Sequence, residues 1–231
     1  MSGLIDAATA LMRASSRRVD LAALNVANVS TPGFKRQALA SNTGDATFDT
    51  VLSRRKSDLR AGKLSQTGNP LDLAISGNGF FQLRAGDRLL YSRQGSFSLD
   101  ADGRLVTPQG YAVQQAGGGD LVLGSPSVTI TTDGVVLDGS RVLGRIAVVR
   151  ARGDQVSAID GSHFSIADDQ AQAMEEPSLR QGMLESSNVS LGDEMIGMMG
   201  ALRSADTGAR LVQVYDDLMG KAISAFGQSA R

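Results

Sequence analysis

The sequence predicts an α+β protein in which long N- and C-terminal helices form a coiled-coil-like layer, with an extended arm and a central all-β domain. Three observations predict it. Small and apolar residues step by three and four through residues 2–28. Short alternating segments punctuated by glycine turns fill the middle of the chain. The last part of the chain carries about five heptads of apolar seam. The boundaries expected are 1–29 for the first helix, 30–70 for the arm, 71–175 for the β domain and 176–231 for the C-terminal segment and long helix.

In the first helix Leu4, Ala8, Leu11, Ser15, Val19, Ala22, Val26 and Val29 share a face. Small residues dominate it, so a partner can approach closely. Asp6, Arg13, Arg17 and Asp20 lie opposite. On period alone a simple surface helix of a globular core is an equal reading. The helix stops in NVANVSTPGFKR (25–36), because Pro32 lacks an N–H and disfavours helical geometry in the residue before it. The partner expected for this helix is the last helix of the chain and, beyond it, other copies of the protein.

Residues 30–70 hold no sustained period. The basic stretch SRRKSDLRAGK (53–63) has no interleaved aromatic residue and reads as a solvated loop rather than a binding patch. So long an aperiodic stretch is unusual inside a compact domain, and an arm that packs on neighbouring molecules accounts for it.

From residue 71 the pattern is β. LDLAI (71–75), FFQLR (80–84), LLYS (89–92), SFSL (96–99), RLVT (104–107) and YAVQ (111–114) come first. VTIT (128–131), VVL (135–137), RIAVVR (145–150) and HFSI (163–166) follow, with GNG, DADG and GGG turns between runs. The fourth zone is the clearest. Leu191, Met195, Met198, Leu202, Ala205, Ala209 and Val212 step by four and three, and Tyr215, Met219, Ala222 and Phe226 resume the rhythm. Ser190 with Asp193 three residues on marks the start as a capping box. A helix over 191–226 is roughly 54 Å long, more than one β domain needs as cover.

Composition narrows the chemistry. Hydrophobic content of 42% and charge of 20% suit a folded chain, and a net charge of −1 supplies no basic field for nucleic acid or anionic membrane. Aromatics at 4% without Trp argue against a stacking surface, and the absence of Cys excludes disulfides and thiolate sites. No stretch approaches the ~18 apolar residues of a membrane span. Asp6 early and basic residues late in MSGLIDAATALMRASSRR reverse the order of a cleavable signal, so an export route that reads something else is expected. His163 is the single histidine and reads as structural. DADG (100–103) lacks the later acidic positions of a calcium loop, and GNGFFQ (77–82) lacks the third glycine of a dinucleotide fingerprint. Asn28 and Asn188, both in Asn-Val-Ser, read as caps beside helix ends.

The chain resembles the bacterial flagellar rod and hook axial proteins over nearly its whole length. NVANVSTPGFKR is similar to the signature that follows that family's first helix. LDLAISGNGFFQL (71–83), YSRQGSFSLDADGRLVTPQGYAVQ (91–114) and QGMLESSNVSLGDEMIGMM (181–199) resemble its other shared blocks, in the same order. The resemblance implies an exported structural subunit, polymerised as a helical tube in the periplasm, with both termini in an inner layer and the β domain outside. Its implied partners are copies of itself, other rod and hook proteins and the flagellar type III export apparatus, which passes family members without signal cleavage. No cofactor, nucleic acid, small-molecule substrate or membrane embedding is implied.

The resemblance places Asn25, Asn28, Thr31, Pro32, Gly33 and Phe34 at the exit of the first helix into the arm. Leu4, Ala8, Leu11, Val19, Ala22 and Val26, with the eleven seam residues from Leu191 to Phe226, would be the assembly interface. Modest length favours a rod subunit over a hook subunit, and ALRSADTGARLVQVYDDLMGKAISAF (201–226) leans toward a proximal rod position, although it lacks a bulky aromatic between Ala205 and Thr207. A distal rod or hook subunit is the near alternative. A β-type surface or peptidoglycan-binding module is the alternative of another class. An enzyme using Asp100, Asp102 or Asp133 is disfavoured, because turns call for Asp on backbone grounds.

Overall fold

A computed structural model describes residues 3–39, 55–153, 155–167 and 169–228. They divide into two compact units. One holds the terminal stretches up to Ala27 and from Ser190, with segment 37–39; the other holds Asn28–Arg36 and Lys56–Val189. The β unit therefore reaches further toward both ends than the sequence boundaries of 71–175 expect. Much of the expected arm, 30–36 and 56–70, is built into it, and the part from 40 to 54 lies outside the described residues.

In the first unit, helix α1 spans Gly3–Ala27 and helix α2 spans Leu191–Gln228. The two pack against each other and run antiparallel: Asn25 meets Glu194 near one end, while Ala8 and Met12 lie against Gly208 further along. Ser190 begins α2 as expected, its Oγ accepting from the Asp193 N–H at 3.4 Å and its carbonyl from the Glu194 N–H at 3.0 Å. Neither helix is long and apolar enough to cross a membrane among the described residues.

The β unit is built around strand Phe80–Ala85, which pairs antiparallel with Arg88–Ser92 on one side and with Ala112–Val113 and Val148–Arg150 on the other. Successive side chains on a strand point to opposite faces, and two adjacent phenylalanines anchor two clusters. Phe81 meets Phe97 edge-on at 5.3 Å, in the main core with Leu73, Leu83, Leu105, Val113 and Val148. Phe80 meets Phe164 at 5.3 Å, in a smaller cluster with Tyr91, Val149 and Ile166. The nine-stranded sheet continues outward through Leu105–Val106 and Ser98–Leu99 at one edge and His163–Ile166 and Val156–Ala158 at the other.

Every run read as β holds a strand, with two corrections. LDLAI is buried along its whole length rather than on alternate positions; Leu71, Leu73 and Ile75 belong to the main core, and Leu179–Gln181 pairs with Leu73–Ile75 along one edge. RIAVVR is divided between strand Arg141–Arg145 of a small three-stranded sheet and strand Val148–Arg150 of the large one. Residues 176–189, expected to belong with the C-terminal helix, supply Leu179–Gln181 and also Met183–Glu185, which pairs with Leu64–Gln66.

Asp100 bonds backbone N–H groups, while Asp120 bonds side chains. In the turn before Leu105–Val106, Asp100 Oδ1 accepts the N–H groups of Asp102 at 3.0 Å and Arg104 at 2.8 Å. Asp120 Oδ1 accepts from Arg84 Nε at 2.8 Å and Gln114 Nε2 at 2.7 Å. The Arg84 guanidinium, bonded to both oxygens, holds the Asp120 carboxyl below the usual carboxylate range.

Two outcomes are expected. Phe81→Ala removes a fully buried ring from the main core and lowers stability by about 3–5 kcal/mol in urea unfolding of the β unit. The folded Asp120 carboxyl binds its proton more weakly than the unfolded one, so its contribution is present above about pH 4 and fades as pH falls through the folded value. Asp120→Asn therefore lowers the urea midpoint at pH 7 and converges with the unsubstituted protein in strong acid.

Candidate assembly interface

The helix pair is held by small residues and one polar clamp. Ala8, Ala14, Ser15, Leu21 and Ala22 of α1 are buried, as are Glu194, Ala201 and Gly208 of α2. A Cβ on Gly208 would stand 2.7 Å from Met12 Cγ and 3.3 Å from the Ala8 carbonyl oxygen, so α1 lies where only a glycine leaves room. At the other end Asn25 is fully buried. Its Oδ1 accepts from the Gln37 N–H at 2.8 Å, and its Nδ2 donates to the Gln37 carbonyl at 2.9 Å and to Glu194 Oε2 at 3.1 Å. Asn25 thus treats the chain at Gln37 as one strand treats another.

Ala8 and Ala22 are buried, while Leu11, Val19 and Val26 are half-buried. On α2 the single expected seam separates into two sets. Met198, Ala205, Val212 and Tyr215 are half-buried at positions that alternate with Glu194, Ala201 and Gly208, so these residues form the stripe beneath α1. Leu191, Met195 and Leu202 are exposed and lie beside that stripe with Ile196 and Met199, where Ile196 is 67% exposed. Ala209 and Ala222 are half-buried, and Met219 is exposed. The side chains of Leu4 and Phe226 fall outside the described residues. Glu194, Ala201 and Gly208 each lie one position before Met195, Leu202 and Ala209, so hydrophobic stepping passed over them.

Within the β unit, the Pro-Gly signature makes a buried joint. Asn28 closes the turn, its carbonyl accepting from the Thr31 N–H at 3.2 Å and its Oδ1 from Thr31 Oγ1 at 3.1 Å, with Pro32 half-buried beyond it. Gly33 takes a positive φ of 70°, and a side chain there would collide with the backbone of Arg93 and Gln94. Phe34 is fully buried with its ring against Gly161. Gly33 and Phe34 were expected at the exit into an arm facing other molecules; in this chain both are enclosed by their own β unit.

Lys35 is the more informative residue, and sequence reading passed over it. It is 1% exposed, and its Nζ donates to Glu185 Oε1 at 2.5 Å and to the Arg60 carbonyl at 2.8 Å. Glu185 Oε1 also accepts from the Gly62 N–H at 2.8 Å, while its Oε2 takes Arg93 Nη1 at 3.1 Å. Arg93 in turn donates to the carbonyls of Ile75 and Gly77 and lies over the Phe80 ring at 5.6 Å. Burial pushes both the Lys35 ammonium and the Arg93 guanidinium below their ordinary ranges, and the Glu185 carboxylate pulls each back up. Asn188, expected as a cap, is a clamp. Its Oδ1 accepts from the Arg36 N–H at 2.7 Å, and its Nδ2 donates to the carbonyls of Asp58 and Arg60 at 2.8 and 2.9 Å.

No catalytic arrangement emerges among the described residues. His163 is buried, with Nδ1 against Asp160 at 2.9 Å and its ring edge-on to Tyr111. No group of metal-ligating side chains is assembled among the described residues. What the joint assembles instead are Lys35, the Ile75 and Gly77 carbonyls, Arg93, and Glu185 with Asn188. Each comes from a different one of the four blocks whose order carried the family resemblance.

Comparison with known proteins agrees. Residues 74–138 match the flagellar hook protein FlgE/F/G D1 domain, and residues 180–225 match the flagellar basal body rod FlgEFG protein C-terminal model. The chain is 30% identical over 230 residues to the flagellar basal-body rod protein FlgF of Caulobacter vibrioides, covering 92% of this chain and 93% of that one. The chain belongs to the flagellar basal-body rod protein family. It is also 30% identical to FlgG of Bacillus subtilis, over 92% of this chain and 95% of that protein, and 31% identical to FlgF of Salmonella typhimurium, over 87% and 88%. Proteins of this family are structural rod subunits, and the chain is one of them rather than an enzyme.

The helix packing yields one expectation. Gly208→Val forces a branched side chain against Met12 and lowers the stability of the helix unit by about 1–3 kcal/mol. Thermal melting followed by helical circular dichroism reads this loss, while Gly200→Val, with open space at its Cβ, has a much smaller effect.

Proposed function

We propose that this rod subunit polymerises through its terminal helices, in a coiled-coil-like layer, into the helical shaft that transmits torque in the periplasmic part of the flagellar basal body. Its partners there are copies of itself and neighbouring rod and hook proteins, and it reaches the periplasm through the flagellar type III apparatus. Within the rod, a proximal position is our narrower reading, from the modest length and the C-terminal block 201–226; a distal position is the alternative.

One observation supports assembly through the helices above all others: α2 carries more apolar surface than α1 covers. Leu191, Met195, Met199 and Leu202 make one exposed stripe, and Leu211, Val214 and Leu218 make a second. At about 100° per residue the two are turned roughly 140° apart, one on each flank of the stripe beneath α1. Surfaces on opposite flanks and at different heights favour different neighbours rather than a two-fold pair. Repeated contacts of that kind propagate as a helix instead of closing. At about 25 cal/mol per Å² of apolar area, a few hundred Å² per neighbour contributes several kcal/mol before the entropic cost of association.

A charge on either flank tests the reading. Leu202→Glu and Val214→Glu are each expected to keep the monomer's circular dichroism and melting behaviour while blocking incorporation into the rod, scored by basal-body isolation and motility in a strain lacking the native gene. Normal incorporation of both variants overturns assembly through these flanks.

A further inference from the structure

The joint holds two cations against one carboxylate. Lys35 and Arg93 are 1% and 3% exposed, and Glu185 contacts both. Backbone carbonyls at Arg60, Ile75 and Gly77 accept further hydrogen bonds from the two cations but carry no net charge. Take Glu185 away, and Lys35 could occupy its seat only as a second buried positive charge beside Arg93, which desolvation and like-charge repulsion both oppose, or as an amine that has given up its proton at a cost in free energy. The three charges come from distant parts of the chain. Lys35 lies 150 residues before Glu185, and Arg93 lies 92 before it. Glu185 ends strand Met183–Glu185, near the C-terminal limit of the β unit.

We propose that Glu185 is a latch: the strap 33–36 seats in the β unit only when the ionised carboxylate of the last strand is already in place. Other bonds at the same point make the seating cooperative. The Glu185 carbonyl accepts from the Gly33 N–H at 2.7 Å, and the Ser186 N–H donates to the Lys63 carbonyl at 2.8 Å. Closure of the N-terminal strap therefore waits on the C-terminal strand. A chain whose residues 183–189 have not docked keeps its strap unseated, while the Phe81 core has no such requirement.

Amide exchange on the full-length chain tests this residue by residue. The reporters in the strap are Gly33, Lys35 and Arg36, whose N–H groups bond to Glu185, Gly161 and Asn188; the core reporters are Gln82, Gln114 and Leu121. Glu185→Gln keeps the shape and removes the charge. It is expected to speed strap exchange at least about a hundredfold while core exchange changes by less than about threefold. Lys35→Met in the Glu185→Gln background leaves a single buried cation, the same net charge as the unsubstituted joint, and is expected to recover most of the strap protection. Lys35→Met alone leaves a matched Arg93–Glu185 pair and is expected to keep the strap seated. The latch is overturned by unchanged strap exchange in Glu185→Gln, by core exchange that rises as much as strap exchange, or by a double variant as open as the single one. Should Glu185→Gln not fold, Lys35→Met decides: a seated strap supports the latch, and a released strap overturns it.

Discussion

A single carboxylate organises the β unit's connection to its own ends. Glu185 is enclosed, and its two oxygens are shared among an ammonium, a guanidinium and a backbone N–H. Buried ions of this kind are poor sources of net stability, because removing water from them costs about as much as the pairing returns. Their effect is on geometry. Few arrangements satisfy all three charges, so the segments bearing Lys35, Gly62, Arg93 and Glu185 have little freedom to slide past one another. For a structural rod subunit, defined geometry at such a point matters more than a further increment of stability.

The helix unit reaches definition by another route. Its most buried positions are mainly alanine, serine and glycine, with Leu21 and Glu194 among them, so the helices come close and Gly208 leaves room for Met12 and the Ala8 carbonyl. Asn25 then fixes one end chemically. It offers a donor and an acceptor to Gln37 together with a further donor bond to Glu194, a combination that neither aspartate nor leucine at that position reproduces. With small residues at the most buried positions, many large apolar side chains of α2, Leu191, Met195 and Leu202 among them, are left facing outward.

How far the sequence reveals this depends on the range of each signal. Periodicity is local, and it located both helices and most strands from Phe80 to Ile166, but not Val156–Ala158 or most of Arg141–Arg145. The short strands Leu64–Gln66, Leu179–Gln181 and Met183–Glu185 escaped it, because three residues carry no period and their partners lie more than a hundred positions away. The α2 stripe was misregistered for a related reason: hydrophobic stepping weighs methionine and leucine, while the residues beneath α1 are glutamate, alanine and glycine. Lys35, Arg93 and Glu185 were hidden by their chemistry, since charged side chains read as surface by default. Their one legible trace was position, each inside one of the blocks that carry the family resemblance.

The joint also bears on how such a chain can grow. Its contributing positions, from Gly33 to Asn188, are spread along the β unit, yet they avoid the hairpin tips at Gly86, Gly118 and Gly139, where an added Cβ would meet little or nothing. Lengthening a tip leaves every charge and clamp of the joint where it was. A whole decorative module could be spliced into any of the three, changing the subunit's outer girth while its fastening stays the same.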